Sequence, residues 1–219
     1  MSLLDLIAPR KPDRDVRPQS PRVHAGDPTF STKALRKFLA CLNRREPPVL
    51  LDLGPVVGSN VSFFGDRLGC KIFVEDLFGD LDRHVRAGNL GAFPAFLEKR
   101  LKQTTGGVDG ILCWDLFDYL DKRSAQVLAT ELTRLLGSDG ALLAFFGTAP
   151  PGDARYTKFV IVDELNLRHR AYPASRVRQA SVPNRDILRL FAGLRVSESF
   201  LLQNNQREIL FRKPAPAGN

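Results

Sequence analysis

With 219 residues the chain is long enough for one sizeable domain with a full core, or a domain with a tail. Apolar residues make up 43% and charged residues 26%, the mix of a globular protein and not of a fibrous or disordered one. No apolar run approaches the roughly 18 residues that a membrane span requires. The net charge of +8 raises nucleic acid as a partner, but Arg10, Lys11, Arg14, Arg17 and Arg22 alternate with Asp5, Asp13, Asp15 and Asp27. A second basic stretch, Arg168, Arg170, Arg176 and Arg178, is not interleaved with aromatics in the manner of a base-stacking surface. A solvated basic face of a bacterial protein is the simpler reading, and nucleic acid is the less favoured partner.

The opening MSLLDLIAPRKPDRD meets charge early, unlike a secretory signal. Residues 1 to about 28 hold five prolines and mixed charge, which predicts a flexible arm ahead of a domain over 29–213. Cys41, Cys70 and Cys113 are scattered, with no CxxC pair, and read as reduced thiols of a cytoplasmic protein. In STKALRKFLACLNRRE, Ser31 or Thr32 can cap a helix whose Leu35, Phe38, Leu39 and Leu42 share a face, stopped by Pro47-Pro48.

Strands and helices then alternate. Val49 to Leu53 is a strand, and a glycine loop leads to a helix over Asn60 to Leu68. Lys71 to Val74 is the next strand, and residues 77 to 103 are helical in two pieces broken near Gly88 to Gly91. Val108 to Trp114 is a buried strand, and Asp121 caps a helix carrying Ala125, Leu128, Leu132 and Leu135, closed by Gly137. ALLAFFG is a further strand. This alternation predicts a mostly parallel sheet with helices on both faces, a three-layer α/β sandwich. After a helix over Arg185 to Phe191, the runs LRVSESFLLQ and QREILFRK flank Asn204-Asn205 and predict a closing antiparallel hairpin. Between fifth strand and last helix, Thr157 to Val162 and Leu165 to Tyr172 predict an inserted hairpin or lid within 154–180.

In an open parallel sheet, ligands bind beyond the carboxyl ends of the strands. The stretch VLLDLGPVVGSN puts Asp52 at such an end, followed by Gly54, Pro55, Gly58 and Asn60. An acid inside an apolar run is costly unless something there satisfies it. Glu75 and Asp76 end the neighbouring strand, and a carboxylate there can accept both hydroxyls of a ribose. Asp52 would accept from a ligand ammonium group or orient the loop amides.

LDLGPVVG, IFVEDL, GILCWDLFDYL and the terminal hairpin together resemble the class I S-adenosylmethionine-dependent methyltransferases, which have a Rossmann-like fold; the resemblance covers roughly residues 30 to 213. It implies S-adenosylmethionine as cofactor, with Gly54 and Gly58 near its amino-acid part, Glu75 at its ribose, and Trp114 and Asp115 beside the methyl or the acceptor. Two departures stand out. Val56 occupies the position of the family's middle glycine, and between Asp76 and Gly107 there is no third strand bearing an acid for the adenine. The second predicts a shortened sheet or a distorted cofactor site.

The implied reaction is methyl transfer to a small-molecule acceptor, with no catalytic base identified. The arginines of the insert suit an anionic acceptor, or form a solvated loop. Asp115, Asp118 or Tyr119 faces the transferred methyl; alternatively Asp118 or Asp121 caps the next helix while Phe117 and Tyr119 pack the loop. No N-P-P-Y or D-P-P-Y tetrapeptide occurs there, which disfavours an exocyclic base amine as acceptor. A non-catalytic binding or scaffold protein of the same fold, and an RNA or protein methyltransferase, are the alternatives. A dinucleotide fold is disfavoured because the residues after Gly54 break G-x-G-x-x-G. His24, His84 and His169 lack metal-site spacing and read as surface histidines, no G-x-S-x-G elbow occurs, and Cys113 reads as core.

Overall fold

The structure is a computed structural model that describes residues 26–42, 45–150, 152, 155–179 and 181–215. The predicted arm lies outside the described residues except for Gly26, Asp27 and Pro28. A six-stranded sheet has the order β3-β2-β4-β5-β9-β8. Its strands are β2 (Val49–Asp52), β3 (Lys71–Val74), β4 (Val108–Trp114), β5 (Leu136–Gly147), β8 (Arg195–Leu201) and β9 (Gln206–Arg212). The first four run parallel, and β9 and β8 close the sheet antiparallel. This is the Rossmann-like, three-layer α/β arrangement the alternation predicts.

Every residue of β4 is buried, as expected of a central strand covered on both faces. Successive side chains enter opposite layers: Ile111 and Cys113 join the core shared with Leu81, Leu97 and Leu132, whereas Leu112 and Trp114 join that of Phe38, Phe64 and Phe159. Helices α3 (Leu77–Arg86), α4 (Phe93–Arg100), α5 (Lys122–Leu135) and α6 (Asn184–Leu190) cover the first face; α1 (Leu35–Ala40) and α2 (Gly58–Leu68) cover the second.

Local chemistry sets the ends of these helices. Asp121 accepts from the amides of Arg123 and Ser124 at 3.0 and 2.9 Å and starts α5. Gly69 ends α2 with φ of 59°, and its N–H bonds back to the Gly65 carbonyl. Leu136 already belongs to β5, so Gly137 lies in a strand and does not close α5. Helix α1 is shorter than its apolar spacing predicts. Thr29–Ser31 form β1, paired with the inserted hairpin, so Ser31 is not available as a cap. Thr32 accepts from the Leu35 amide at 3.3 Å and donates to the buried Glu208 of β9.

Between Asp76 and Gly107 the chain forms α3, a 3-10 turn at Leu90–Ala92, α4 and a loop. No strand intervenes, so the sheet is shortened at the β3 edge. The insert forms β6 (Arg155–Asp163) and β7 (Asn166–Pro173), which with β1 make a separate antiparallel sheet of order β1-β7-β6. Pro28 and Asp27 reach this sheet too: the Pro28 carbonyl accepts from His169 N–H at 2.8 Å, and Asp27 pairs with Arg170 at 2.9 Å. Among the described residues, no helix is long and apolar enough to cross a membrane.

Candidate functional site

The carboxyl ends of β2 and β3 lie side by side, and Trp114 at the end of β4 and Phe145 of β5 pack on Phe159 of the β6–β7 hairpin. Asp52 is the last residue of β2, opposite Val74, so Glu75 follows one position beyond it on the neighbouring strand. The Glu75 N–H donates to the Asp52 carbonyl at 2.7 Å, which fixes the two acids side by side at one sheet edge.

Asp52 is buried, and its Oδ1 accepts from Trp114 Nε1 at 2.6 Å and from the Gly54 amide at 2.9 Å. Burial pushes its carboxyl up to about 6, against the lowering effect of those two donors. Trp114 ends β4 with φ of 52°, a left-handed backbone that costs a non-glycine residue roughly 1–3 kcal/mol. That conformation helps carry its indole across the glycine loop. A Cβ added at Gly54 would meet Trp114 Cδ1 and Nε1 at 2.7 Å. The indole lies nearly parallel to Phe159 of β6, at 5.1 Å and 7°, and to Phe145 of β5, at 6.3 Å and 9°.

Pro55 is buried, and Val56 in place of the middle glycine points to solvent at 65% exposure. At Gly58 an added Cβ would meet nothing within 4 Å. Asn60 is buried and bonded to the inserted hairpin. Its Nδ2 donates to the Phe159 carbonyl and its Oδ1 accepts from the Ile161 amide, both at 2.8 Å. A buried amide paired in this way to a strand backbone clamps β6 onto α2.

Glu75 is held as well. Arg100 of α4 donates to its Oε2, and Gln103 Nε2 donates to its Oε1 at 3.0 Å. Arg100 also pairs with Asp80 at 2.9 Å. Arg100 and Gln103 come from the segment where a third strand would otherwise run, and no local motif flags them. Asp76 is the cap of α3, its Oδ1 accepting from the Gly79 amide at 2.9 Å.

Beyond β4, Asp115 and Asp118 are both buried. Asp118 Oδ2 accepts from the Gly147 amide at 2.7 Å and lies 3.7 Å from Arg178; it does not cap a helix. Burial pushes its carboxyl up to about 6. Asp115 is driven well above the ordinary carboxylate range, by burial first and then by neighbouring Asp118. Asp115 Oδ1, Asp118 Oδ1 and the hydroxyl of buried Tyr156 have no hydrogen-bond partner among the described residues. Tyr156 descends from β6 onto Tyr119 and Phe78, with ring centroids 4.8 and 5.0 Å away. Tyr119 in turn donates to the Arg155 carbonyl at 2.7 Å.

The inserted arginines divide. Arg178 is drawn in beside Asp118, and Arg170 is tied to Asp27. His169 and His84 are half-buried, not surface groups. His169 lies between Phe30 and Phe159, where burial lowers it to about 4; His84 donates to the Asp80 carbonyl at 2.8 Å. Cys113 is fully buried in β4. Among the described residues, no group of three or more His, Cys, Asp or Glu is arranged to hold a metal ion.

An acid at the end of β2 and another just past β3, a glycine loop after β2, and a terminal antiparallel hairpin sit on a Rossmann-like three-layer fold. Three solved structures share its course loosely. The 1,6-didemethyltoxoflavin-N1-methyltransferase of Burkholderia thailandensis, bound to 1,6-didemethyltoxoflavin and S-adenosylhomocysteine, is 16% identical, with 83% of this chain and 78% of that one covered and a TM-score of 0.49. The CcbJ methyltransferase of Streptomyces caelestis is 17% identical, covering 83% and 90%, with a TM-score of 0.48. The geranyl diphosphate C-methyltransferase of Streptomyces coelicolor A3(2) is 12% identical, covering 82% and 74%, with a TM-score of 0.48. No family model matches the chain, and no curated protein matches it.

S-adenosylmethionine would need room above Gly54 and free acceptor oxygens on Glu75. The residue types fit that ligand, and Gly58 leaves open space for it. In the present packing, Trp114 covers Gly54, and Arg100 and Gln103 engage both Glu75 oxygens. Each Glu75 oxygen keeps a further lone pair for a ribose hydroxyl, whereas the space above Gly54 opens only if Trp114 moves.

Proposed function

We propose that this chain is a methyltransferase that binds S-adenosylmethionine across the carboxyl ends of β2 and β3. The observation that carries this reading is Asp52 at the end of β2 with Glu75 one position past the parallel β3, its N–H bonded to the Asp52 carbonyl, and the loop bearing Gly54 and Gly58 after β2. Asp52 would face the ligand's ammonium group, Gly54 and Gly58 would let its amino-acid part approach the backbone, and Glu75 would accept from its ribose. When bound, that ligand supplies an electrophilic sulfonium methyl. The chain's own part is to exclude water and hold the acceptor in line.

The acceptor's place in this reading is beside Asp115, Asp118 and Arg178. Asp115 Oδ1 and Asp118 Oδ1 have no partner among the described residues, and Arg178 offers a cation to an anionic small molecule. The test is the thermal unfolding of the purified protein with and without 1 mM S-adenosylhomocysteine. A ligand that binds only the folded state raises the melting temperature by mass action. An unchanged melting temperature would contradict the reading.

A second reading, a non-catalytic binding or scaffold protein, is favoured by one specific observation: the indole over Gly54 and the Arg100–Glu75 pair fill the cofactor's place with the chain's own side chains. It expects no shift with S-adenosylhomocysteine at any concentration.

A further inference from the structure

We propose that Trp114 is an internal plug of the cofactor groove, a side chain that takes the ligand's place above Gly54 and must leave before the ligand can enter. The inference rests on the methyltransferase reading for what displaces it, and on the following geometry for what it does at rest.

The indole N–H donates to Asp52 Oδ1 at 2.6 Å. It thereby offers that carboxylate the donor that a ligand ammonium would otherwise bring. The ring excludes any atom the size of a Cβ from the space above Gly54, the surface that a glycine leaves open to a ligand. Trp114 is 3% exposed although it ends a strand at the sheet edge where ligands bind. Its backbone is left-handed, a conformation that persists only where the surroundings over-determine it.

Those surroundings are identifiable. Phe159 lies nearly parallel to the indole at 5.1 Å, and Phe145 is 5.2 Å from Phe159. Phe159 is held there through its backbone, because its carbonyl and the Ile161 amide are both bonded to Asn60. Asn60 stands in the first turn of α2, directly after the glycine loop. A ligand that reorders that loop therefore disturbs the clamp that keeps Phe159 on Trp114. The hairpin bearing Phe159 pairs through β7 with β1 and with no strand of the six-stranded sheet, so it can shift without breaking the main ladder.

Trp114 is the chain's single tryptophan, so its fluorescence reports the plug directly. The parent protein, Trp114→Ala and Trp114→Phe are titrated with S-adenosylhomocysteine by calorimetry, and the parent's emission is followed by acrylamide quenching. The expected result has two parts. Trp114→Ala binds at least about tenfold more tightly than the parent, with Trp114→Phe in between because it loses the bond to Asp52. The parent's quenching rises several-fold on saturation as the indole leaves its pocket.

Equal affinities, or parent binding with unchanged emission and quenching, would overturn the plug while leaving the cofactor assignment standing. Absence of binding to the parent and to Trp114→Ala, both folded by circular dichroism, would overturn the cofactor assignment and the plug with it. If Trp114→Ala does not fold, Trp114→Phe decides: affinity equal to the parent's overturns the plug.

Discussion

The carboxyl ends of β2 and β3 differ from those of β4 and β5 in how their acids are treated. At the first pair every carboxylate is satisfied by the chain itself: Asp52 by Trp114 and Gly54, Glu75 by Arg100 and Gln103, Asp76 by Gly79. At the second pair Asp115 and Asp118 are buried, each with an oxygen that has no partner among the described residues. A buried polar group without a partner costs about 1–3 kcal/mol. The first region is thus closed on itself, whereas the second carries an unrelieved cost that an occupant could remove. That contrast separates acids paired within the chain from acids left with unpaired oxygens.

The largest expected effect comes from unfastening the first region. Asn60→Ala leaves the Phe159 carbonyl and the Ile161 amide without their partner. Two such orphaned groups cost roughly 2–5 kcal/mol, which for a chain of this size lowers the melting temperature by about 5–15 °C. Differential scanning calorimetry checks it. A drop of less than a degree would mean that the hairpin is held by its aromatic contacts alone.

The second region is sharpened by pH. Asp118 titrates at about 6 in the fold against 3.8 for an ordinary side chain. A raised carboxyl stabilises the fold fully below the unfolded value and loses that contribution as pH climbs through the folded one. Its contribution therefore falls by up to about 3 kcal/mol between about pH 4 and pH 6, and is level above. Asp118→Asn keeps an oxygen for the Gly147 amide and removes the titration. Urea unfolding at pH 4.5, 5.5 and 7.5 should show the variant gaining on the parent with rising pH. A constant difference would contradict the burial of an ionisable group there.

A smaller effect marks the boundary of the first region. Asp76→Ala removes the cap of α3 and should cost about 1 kcal/mol of stability with no change in S-adenosylhomocysteine affinity. Denaturant midpoints and titration together check both halves. A tenfold loss of affinity would return Asp76 to the ligand site.

The sequence made some of this contrast legible and left some hidden. Strands β3 and β4 fall where KIFV and VDGILCW place them, because short runs rich in β-branched and aromatic residues between helical segments have few other uses. The missing third strand is legible as well, since residues 77–103 read as two helical pieces broken near Gly88 to Gly91, with no strand-like run between them. Hidden were the contacts that close the groove. Trp114 reaches Asp52 across 62 positions, and Asn60 reaches Phe159 across 99. Glu75 finds Arg100 from a helix with no motif of its own. Periodicity reports which face of an element is apolar, but not which polar side chain crosses to another element. The short β1 was missed for a related reason: three residues carry no alternation, and their pairing to β7 is set from outside.

If Glu75 and its neighbours hold the cofactor as proposed, calorimetric titration of the parent and Glu75→Ala with S-adenosylhomocysteine reads it out. Saturable one-site binding by the parent, weakened roughly ten- to a hundred-fold in Glu75→Ala, is the expected result, since charge-assisted hydrogen bonds of this kind contribute about 1.5–3 kcal/mol. A Glu75→Ala protein that binds as tightly as the parent, or a folded parent that binds nothing at millimolar ligand, would contradict it.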